Sequence, residues 1–394
     1  HGAELSQFQE SDFTVDIDQP LRLLGGLTPA QFMKRHWQRK PLLVRQAFAD
    51  FKAPLSRSEL VSLAAQEEVE SRLVVREEPG RTPWRLRSGP FERRALPAFA
   101  KPGWTLLVQG VDLHVQSVAD LLAGFRFVPA ARLDDLMISY ATDQGGVGPH
   151  FDSYDVFLLQ AQGRRRWRIG RQKALQLRDD TPLKILANFE PEAEYVLEPG
   201  DMLYLPPRYA HDGIAEGECM TYSVGFRAPK RDEVARDLMQ RLGEQADEAM
   251  DDQLYKDPDQ AATASPGAIP AALQNFAQDA LQRLLEDPSR WQRALGESLS
   301  EPKPQVWFQP GDEGLPLEGV VLDRRSRMMY DATHIYLNGE SWRASGADAR
   351  LMRTLADQRA LSAQQLAKSS PGAKALLRDW CAAGWVHRKT PSSV

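Results

Sequence analysis

Cysteine is scarce in this sequence, which has only Cys219 and Cys381 among its 394 residues. Two cysteines exclude a fold held together by several disulfides and a zinc site built mainly from cysteine, and they are typical of a reducing cytoplasm. The sequence also lacks an apolar run long enough to span a bilayer, and its first residues lack the apolar centre of a secretory signal. We therefore expect a cytoplasmic protein with no membrane segment.

A strong net charge is absent as well. The 49 basic and 54 acidic residues give a formal net charge of −5 at pH 7. The chain as a whole therefore has no electrostatic attraction for nucleic acid, although a local basic patch is compatible with an RNA contact. The length and the hydrophobic content of 42% predict two or three globular domains with a well-formed core.

Short strands separated by glycine and proline turns dominate the first 229 residues. Strand character is found in WTLLVQG (104–110), DLMISYAT, YDVFLLQAQGRRRWRIG, AEYVLEPGDMLYLPP and MTYSVGFRA. The segment SRLVVREEPGRTPWRLRSGPF predicts a hairpin around Pro79 and Gly80. This pattern favours an all-β sandwich or barrel of the jelly-roll type.

Two helices flank these strands on the N-terminal side. Thr28 with Gln31, and Ser56 with Glu59, form capping boxes that mark helix starts. The first helix is expected to end at Lys40, before Pro41. The second helix is expected over about residues 57–67.

The character of the sequence changes after Pro229. Residues 230–300 contain amphipathic helical patterns separated by the loop sequence KDPDQAATASPGAIP, which predicts a helical region. Residues 301–394 contain a small hairpin, HIYLNGESWRA, followed by three helical runs. That order predicts a C-terminal α+β domain of the winged-helix type.

The sequence GGVGPHFDSYDVFLLQ places His150 and Asp152 two residues apart at the start of an apolar strand. In a strand, side chains at positions i and i+2 project from the same face, so the two groups are expected to point together. A third ligand is available in LEPGDMLYLPPRYAHDG, where His211 follows a short apolar strand. Two imidazoles and one carboxylate form the facial triad of non-haem Fe(II) oxygenases.

An oxygenase of this kind commonly uses 2-oxoglutarate, whose far carboxylate needs a buried cation. The strand GRRRWRIG offers three consecutive arginines, and Arg165 shares the parity of the apolar residues Trp167 and Ile169. We therefore predict that Arg165 faces inward and binds the carboxylate in a bidentate contact. The outward arginines 164, 166 and 168 are alternatively interpreted as a nucleic-acid-binding stripe.

Other polar and aromatic residues near the triad have simpler interpretations. Asp143, just before the glycine turn, is either a turn residue or a contact for a cationic substrate side chain. Tyr154 and Trp104 are predicted to be packing residues. The remaining histidines with a predicted structural or solvated role are His36, His114, His334 and His387.

These motifs, with FMKRHWQRKPLLV upstream and YSVGFRAP downstream, resemble the JmjC-type bacterial ribosomal oxygenases of the cupin superfamily. The resemblance implies a double-stranded β-helix with Fe(II) at His150, Asp152 and His211, and with 2-oxoglutarate at Arg165 and Ser139. It further implies a C-terminal winged-helix-like domain and, between this domain and the barrel, a helical dimerisation region. We therefore expect a homodimer. Members of the family hydroxylate the β-carbon of an arginine in a large-subunit ribosomal protein, and eukaryotic relatives act on histidines.

The expected activity is therefore hydroxylation of a ribosomal protein with Fe(II), 2-oxoglutarate and O2. Two rival interpretations stay open at this stage. One is a different cupin metalloenzyme that does not use 2-oxoglutarate, and the other is a ribosome- or RNA-binding protein with an idle barrel. Arg165 separates the first rival from the main hypothesis, and a complete triad speaks against the second.

Overall fold

A computed structural model describes residues 15–77, 84–311 and 318–389. The barrel consists of nine strands, all paired antiparallel in the order β1-β8-β6-β9-β5-β4-β2-β3, with β7 also paired to β6. They are β1 (Leu42–Val44), β2 (Ser71–Arg76), β3 (Trp84–Ser88), β4 (Trp104–Val108), β5 (Leu133–Ala141), β6 (Tyr154–Gly170), β7 (Ala193–Leu197), β8 (Met202–Leu205) and β9 (Ala210–Arg227). The predicted hairpin is β2–β3, and its Pro79-Gly80 turn lies outside the described residues.

Two long, bent strands turn this sheet into a double-stranded β-helix. The first half of β6 pairs with β8 and its second half pairs with β7, while β9 runs beside both halves. The pairing is irregular between Gln160 and Arg164. Gly163 has a φ of 60°, and a Cβ there would lie 2.1 Å from the carbonyl oxygen of Glu218, so only glycine fits at this bend. The predicted jelly-roll fold is therefore confirmed.

Alternate residues of β6 supply two different cores. Phe157 and Leu159 pack outward against the N-terminal helices, together with Phe32. Val156 and Leu158 pack inward, in the interior of the barrel. Because both faces of the strand are covered, the strand reads as a nearly continuous apolar run.

The N-terminal helices begin where the capping boxes predict but end earlier. Helices α1 (Pro29–Arg35) and α2 (Arg57–Ala64) both have reciprocal capping-box hydrogen bonds. The expected helix end at Lys40 was wrong, because His36 is the C-cap and Gln38 has a φ of 54°, which is incompatible with a continuing helix. A third helix, α3 (Gln116–Leu121), follows β4.

Four helices follow the barrel: α4 (Arg231–Glu244), α5 (Ala246–Ala249), α6 (Ala271–Glu286) and α7 (Pro288–Ser300). Residues 256–270 form no helix, as the loop sequence predicts. Pro288 stands in the first turn of α7, and Asp287 caps it by accepting a hydrogen bond from the N–H of Ser289. No helix in the described ranges is long and apolar enough to cross a membrane.

The C-terminal unit has its own apolar core and two three-stranded sheets. Its elements are β10 (Val320–Leu322), β11 (Met328–Tyr330), β12 (His334–Leu337), β13 (Glu340–Arg343), α8 (Gly346–Gln358), β14 (Ala360–Leu361), α9 (Ala363–Ala367), α10 (Pro371–Ala382) and β15 (Val386–Arg388). Helix α7 packs on the β12–β13 hairpin, where Ser341 donates a 2.6 Å hydrogen bond to Glu297. This helix therefore contacts the C-terminal unit across the predicted boundary at residue 300.

Candidate active site

The fold brings His150, Asp152 and His211 together, with ligand atoms that all lie within 4.8 Å of one another. They form the only such cluster of three or more potential metal ligands within the described ranges. The strand on which His150 and Asp152 were expected begins only at Tyr154, so both residues precede it. His211 is the second residue of β9 rather than part of a loop.

The backbone joins the two histidines directly. The N–H of His150 donates to the carbonyl of His211 at 3.0 Å, and the N–H of His211 donates back at 2.8 Å. This isolated bridge replaces the strand geometry that the i, i+2 spacing predicted. It places both imidazoles on the same side, with ring centroids 4.3 Å apart.

Hydrogen bonds from the rings hold the imidazoles in one orientation. Nδ1 of His150 lies 2.9 Å from the carbonyl oxygen of Gly148, and Nδ1 of His211 lies 2.9 Å from that of Tyr209. A carbonyl oxygen can only accept, so each ring carries its proton on Nδ1 when it is neutral. The free lone pair is then on Nε2, the atom that faces Asp152, at 3.8 Å from His150 and 3.4 Å from His211.

The electrostatics of the cluster favour an ionised carboxylate. Burial opposes ionisation of Asp152, but the hydrogen bond with His211 and the two neighbouring imidazoles outweigh it and lower the pKa of this carboxyl to about 2. Burial and the adjacent His211 lower the pKa of His150, whereas the hydrogen bond and charge of Asp152 outweigh burial and raise the pKa of His211. The cluster therefore offers one anionic oxygen and the neutral imidazole of His150, while the proton that His211 shares with Asp152 is one that a bound metal ion replaces; this is the donor set of a facial triad.

Arg165 lies inside the barrel, as strand parity predicts. It is 5% exposed, and its Nε and Nη2 have no hydrogen-bond partner among the described residues. Its guanidinium lies 5.6 Å from the ring of Trp167, which in turn lies 5.8 Å from the ring of His211. The indole Nε1 of Trp167 is also buried and unpaired. Buried donors of this kind are costly unless a ligand satisfies them.

Strand alternation also makes the other three arginines of β6 point outward from the barrel. The side chains of Arg164, Arg166 and Arg168 are 54%, 39% and 36% exposed. Each of them has an acidic partner: Arg164 and Arg166 pair with Glu216, Arg166 also pairs with Glu194, and Arg168 pairs with Asp212. This pairing reduces the positive charge that a nucleic acid would contact, so the stripe interpretation loses its main support.

The residues present fit a metal ion and a dicarboxylate cosubstrate. The two imidazoles and one carboxylate match Fe(II) in donor type, and the unpaired guanidinium of Arg165 matches the far carboxylate of 2-oxoglutarate. Gly213, on β9 between these groups, would place a Cβ 2.6 Å from the Trp167 ring, so a larger residue there would displace the indole.

Comparison with known proteins agrees with this geometry. Residues 120–234 match the JmjC domain family and residues 283–387 match the ROXA-like winged-helix family. The ribosomal protein uL16 3-hydroxylase of Escherichia coli (strain K12) is 36% identical over 326 residues, which are 78% of this chain and 84% of that protein. The chain belongs to the JmjC-type ribosomal oxygenases. The expected fold class, including the winged-helix unit, is thereby confirmed.

Solved structures of the E. coli ribosomal oxygenase YcfD superpose on this ribosomal oxygenase over nearly its whole length. One has a TM-score of 0.79 with 32% identity and covers 91% of this chain and 97% of that chain. Another, a complex of YcfD with cobalt and 2-oxoglutarate, has a TM-score of 0.77 with 32% identity and covers 91% and 98%.

Ser139 of this ribosomal oxygenase belongs to a polar row that crosses three strands inside the barrel. It is 4% exposed on β5 and lies opposite Thr221 of β9, which lies opposite Gln160 of β6. The hydroxyl of Thr221 donates a 3.1 Å hydrogen bond to Gln160. The sequence interpretation missed Thr221 and Gln160. Their signal is weak: a polar residue at inward parity in an otherwise apolar strand.

Tyr154 lies beside the triad, whereas Asp143 lies farther along β9, next to Gly217, which is six positions from His211. Asp143 is exposed, and its Oδ1 accepts a 2.8 Å hydrogen bond from the N–H of Gly217. The loop after it pairs with Ala215, the strand partner of Arg165. The prediction of a packing role was wrong for Tyr154, which is 38% exposed and whose hydroxyl helps to lower the pKa of Asp152. It was right for Trp104, which is fully buried.

Proposed function

We propose that this ribosomal oxygenase hydroxylates the β-carbon of an arginine in a large-subunit ribosomal protein of the uL16 type. Its similarity to the E. coli uL16 3-hydroxylase supports the substrate. The observation that carries the chemistry is the triad of His150, Asp152 and His211 beside the buried, unpaired Arg165. A pure binding module has no use for three converging ligands. A ribosomal substrate also implies a cytoplasmic location.

Each residue of the site has a defined part in this proposal. His150, Asp152 and His211 hold Fe(II), Arg165 binds the far carboxylate of 2-oxoglutarate, and Ser139 donates a second hydrogen bond to it. When bound, the metal, 2-oxoglutarate and O2 together supply the oxidising power that breaks an unactivated C–H bond. The barrel contributes orientation and exclusion of water, since Arg165 and Ser139 are buried. No protein acid or base is required.

The direct test uses mass spectrometry. The full chain, loaded with Fe(II), is incubated with 2-oxoglutarate, O2 and uL16, and tandem mass spectra locate one added oxygen atom. We expect it on the β-carbon of a single arginine, with one succinate formed for each hydroxylation. An added oxygen on histidine would instead support the histidyl-hydroxylase alternative, and absence of any product with intact metal binding would refute both.

Asp143 is the proposed contact for the substrate guanidinium. One of its carboxylate oxygens accepts a hydrogen bond from Gly217, and the other makes none among the described residues, so it is available to a substrate guanidinium. Asp143→Asn keeps an acceptor for Gly217 but removes the charge, so we expect peptide turnover to fall by about 10-fold or more. Consumption of 2-oxoglutarate without peptide should change by less than about 2-fold, because Asp143 is outside the proposed cosubstrate pocket.

The control for this prediction is Asp259→Asn, in the loop before α6. It should leave both rates unchanged. If Asp143→Asn lowers peptide turnover and uncoupled 2-oxoglutarate consumption equally, then Asp143 is a structural turn residue.

We also propose a homodimer formed through α6. Ile269, Leu273, Leu281 and Leu285 are exposed by 67%, 38%, 54% and 50%. Leu273, the exposed Ala277, Leu281 and Leu285 recur every four residues along α6 and therefore lie along one face of the helix, and Ile269 directly precedes its first turn. A continuous apolar stripe of this kind is typical of a protein interface, and a symmetric dimer buries it against its own copy.

Leu281→Glu should convert the dimer to a monomer, because it places a charge in the centre of the apolar stripe. Light scattering coupled to size exclusion measures the mass directly. Gln282→Glu, at an exposed position beside the stripe, is the matched control and should leave the dimer intact. A wild-type protein with the mass of one chain would contradict the proposal.

A further inference from the structure

A cavity lies between the flank of the barrel and the C-terminal unit. Its volume is about 130 Å³. Its walls come from α3 and the turn after it, from the start of β5, and from the segment that runs from β10 to β11. None of the triad residues lines it. The cavity is therefore separate from the proposed active site.

Basic side chains dominate the polar lining of this cavity. Six cations line it against three carboxylates: the cations are Arg126, Lys303, Arg324, Arg325, Arg327 and Arg359, and the carboxylates are Asp112, Asp120 and Asp134. Lys303 already pairs with Asp134 at 3.2 Å. The remaining positive charge of the lining therefore comes from guanidinium groups.

Four of these arginines hydrogen-bond only main-chain carbonyl groups within the described ranges. Arg126 donates to Ala356 and Asp357, Arg324 to Leu113 and His114, Arg327 to Leu133 and Leu299, and Arg359 to Asp323 and Ser326. Carbonyl groups orient a guanidinium but do not neutralise it. The Nε of Arg126 is buried with no partner at all in this part of the chain.

The arginines are close enough to disturb one another. Burial lowers the pKa of Arg359 to about 9, and the charges of Arg126 and Arg327 contribute to that shift. Burial also lowers the pKa of Arg126 and of Arg327. Nearby carboxylates oppose these shifts, Asp323 for Arg359, Asp357 for Arg126 and Asp134 for Arg327, but they do not outweigh burial. Asp112 adds only part of a negative charge, because burial raises its pKa to about 7. A cluster of buried cations whose charge is only partly compensated destabilises the fold unless an anion joins it.

We propose that this cavity binds a small oxyanion of the phosphate type between the barrel and the C-terminal unit. A guanidinium presents five N–H donors in a planar fork, of which the carbonyl bonds use only part, and that fork matches the oxygens of phosphate. The cavity has room for such an ion. Because its walls come from both units, the bound anion stabilises their contact.

The alternative is that these arginines only clamp the two units together through carbonyl groups. The two interpretations differ in what phosphate does. If the arginines only join the two units through carbonyl groups, no anion is needed. Phosphate then raises the unfolding temperature only as a general salt effect, which grows in proportion to the phosphate concentration. A site saturates at one ion per chain and stabilises the folded state according to its affinity.

The test is a titration of the full chain with inorganic phosphate at constant ionic strength. We expect calorimetry to show one phosphate per chain and the unfolding temperature to rise along a saturating curve. Arg126→Gln should weaken phosphate binding by about 10- to 100-fold, since it removes one charged donor set. Binding is measured at a temperature where circular dichroism shows the variant folded, so a loss of stability alone does not mimic the effect.

Arg353→Gln is the matched control. Arg353 also has a buried unpaired Nε and also donates to two carbonyl groups, but it does not line the cavity. It should leave phosphate affinity unchanged. Binding of ribose 5-phosphate as well as phosphate would assign the site to a phosphate ester, and binding of phosphate alone to the free ion. No saturable binding, or equal effects of the two substitutions, would overturn the proposal.

Discussion

His211→Ala lowers turnover by more than about 100-fold and abolishes tight metal binding. Loss of a residue that merely orients a ligand typically costs 10- to 100-fold in affinity or activity, so loss of a ligand itself should cost more. His211 is 4% exposed by its side chain and lies 3.4 Å from Asp152, so water that replaces the imidazole would leave this carboxylate without its principal partner. The d–d absorption of added Co(II) reports the loss independently of turnover.

His387→Ala is the control for this experiment. His387 is also paired with a carboxylate, Asp323, at 2.6 Å, but no third ligand joins that pair in the described structure. The substitution should therefore leave both the Co(II) spectrum and turnover unchanged. If His211→Ala binds Co(II) with wild-type affinity, the three residues are not the metal site.

The orientation of single side chains along β6 could be predicted from the sequence because alternation is a local property. Parity with Trp167 and Ile169 separated Arg165 from its two neighbouring arginines, and of these three the structure places only Arg165 inside the barrel. The existence of helices α1 and α2 followed from capping boxes for the same local reason. The C-terminal ends of these helices could not be predicted from the capping boxes, because tertiary contacts and turn geometry decide where a short helix stops.

Features that depend on register between distant strands could not be predicted in this way. Thr221 faces Ser139 and Gln160 only because β9 lies between β5 and β6 in one particular register. Likewise, His150 and Asp152 converge through a backbone bridge to His211 rather than through a strand of their own. The sequence spacing suggested the correct cluster, although the local geometry that it assumed was wrong.

Arg165→Met should have opposite effects on the affinity for 2-oxoglutarate and on the stability of the free protein. Two charge-assisted hydrogen bonds are worth about 3–6 kcal/mol, so the Kd for 2-oxoglutarate should rise by roughly 10²- to 10⁴-fold. In the free protein Arg165 is a buried cation with two unpaired nitrogen atoms, so methionine of similar length should leave the unfolding temperature unchanged or raise it. Calorimetry of the Co(II)-loaded protein gives both quantities.

Arg164→Met, on the outward face of the same strand, separates this effect from a general loss of charge. Its side chain is 54% exposed and pairs with Glu216, so it should alter neither the affinity nor the stability by much. A cupin enzyme that does not use 2-oxoglutarate would show the same Kd for both variants and for the wild type. A buried arginine that serves only the fold would instead lower the unfolding temperature when replaced. Only an anchor for a dicarboxylate combines weaker cosubstrate binding with a fold that is equally or more stable.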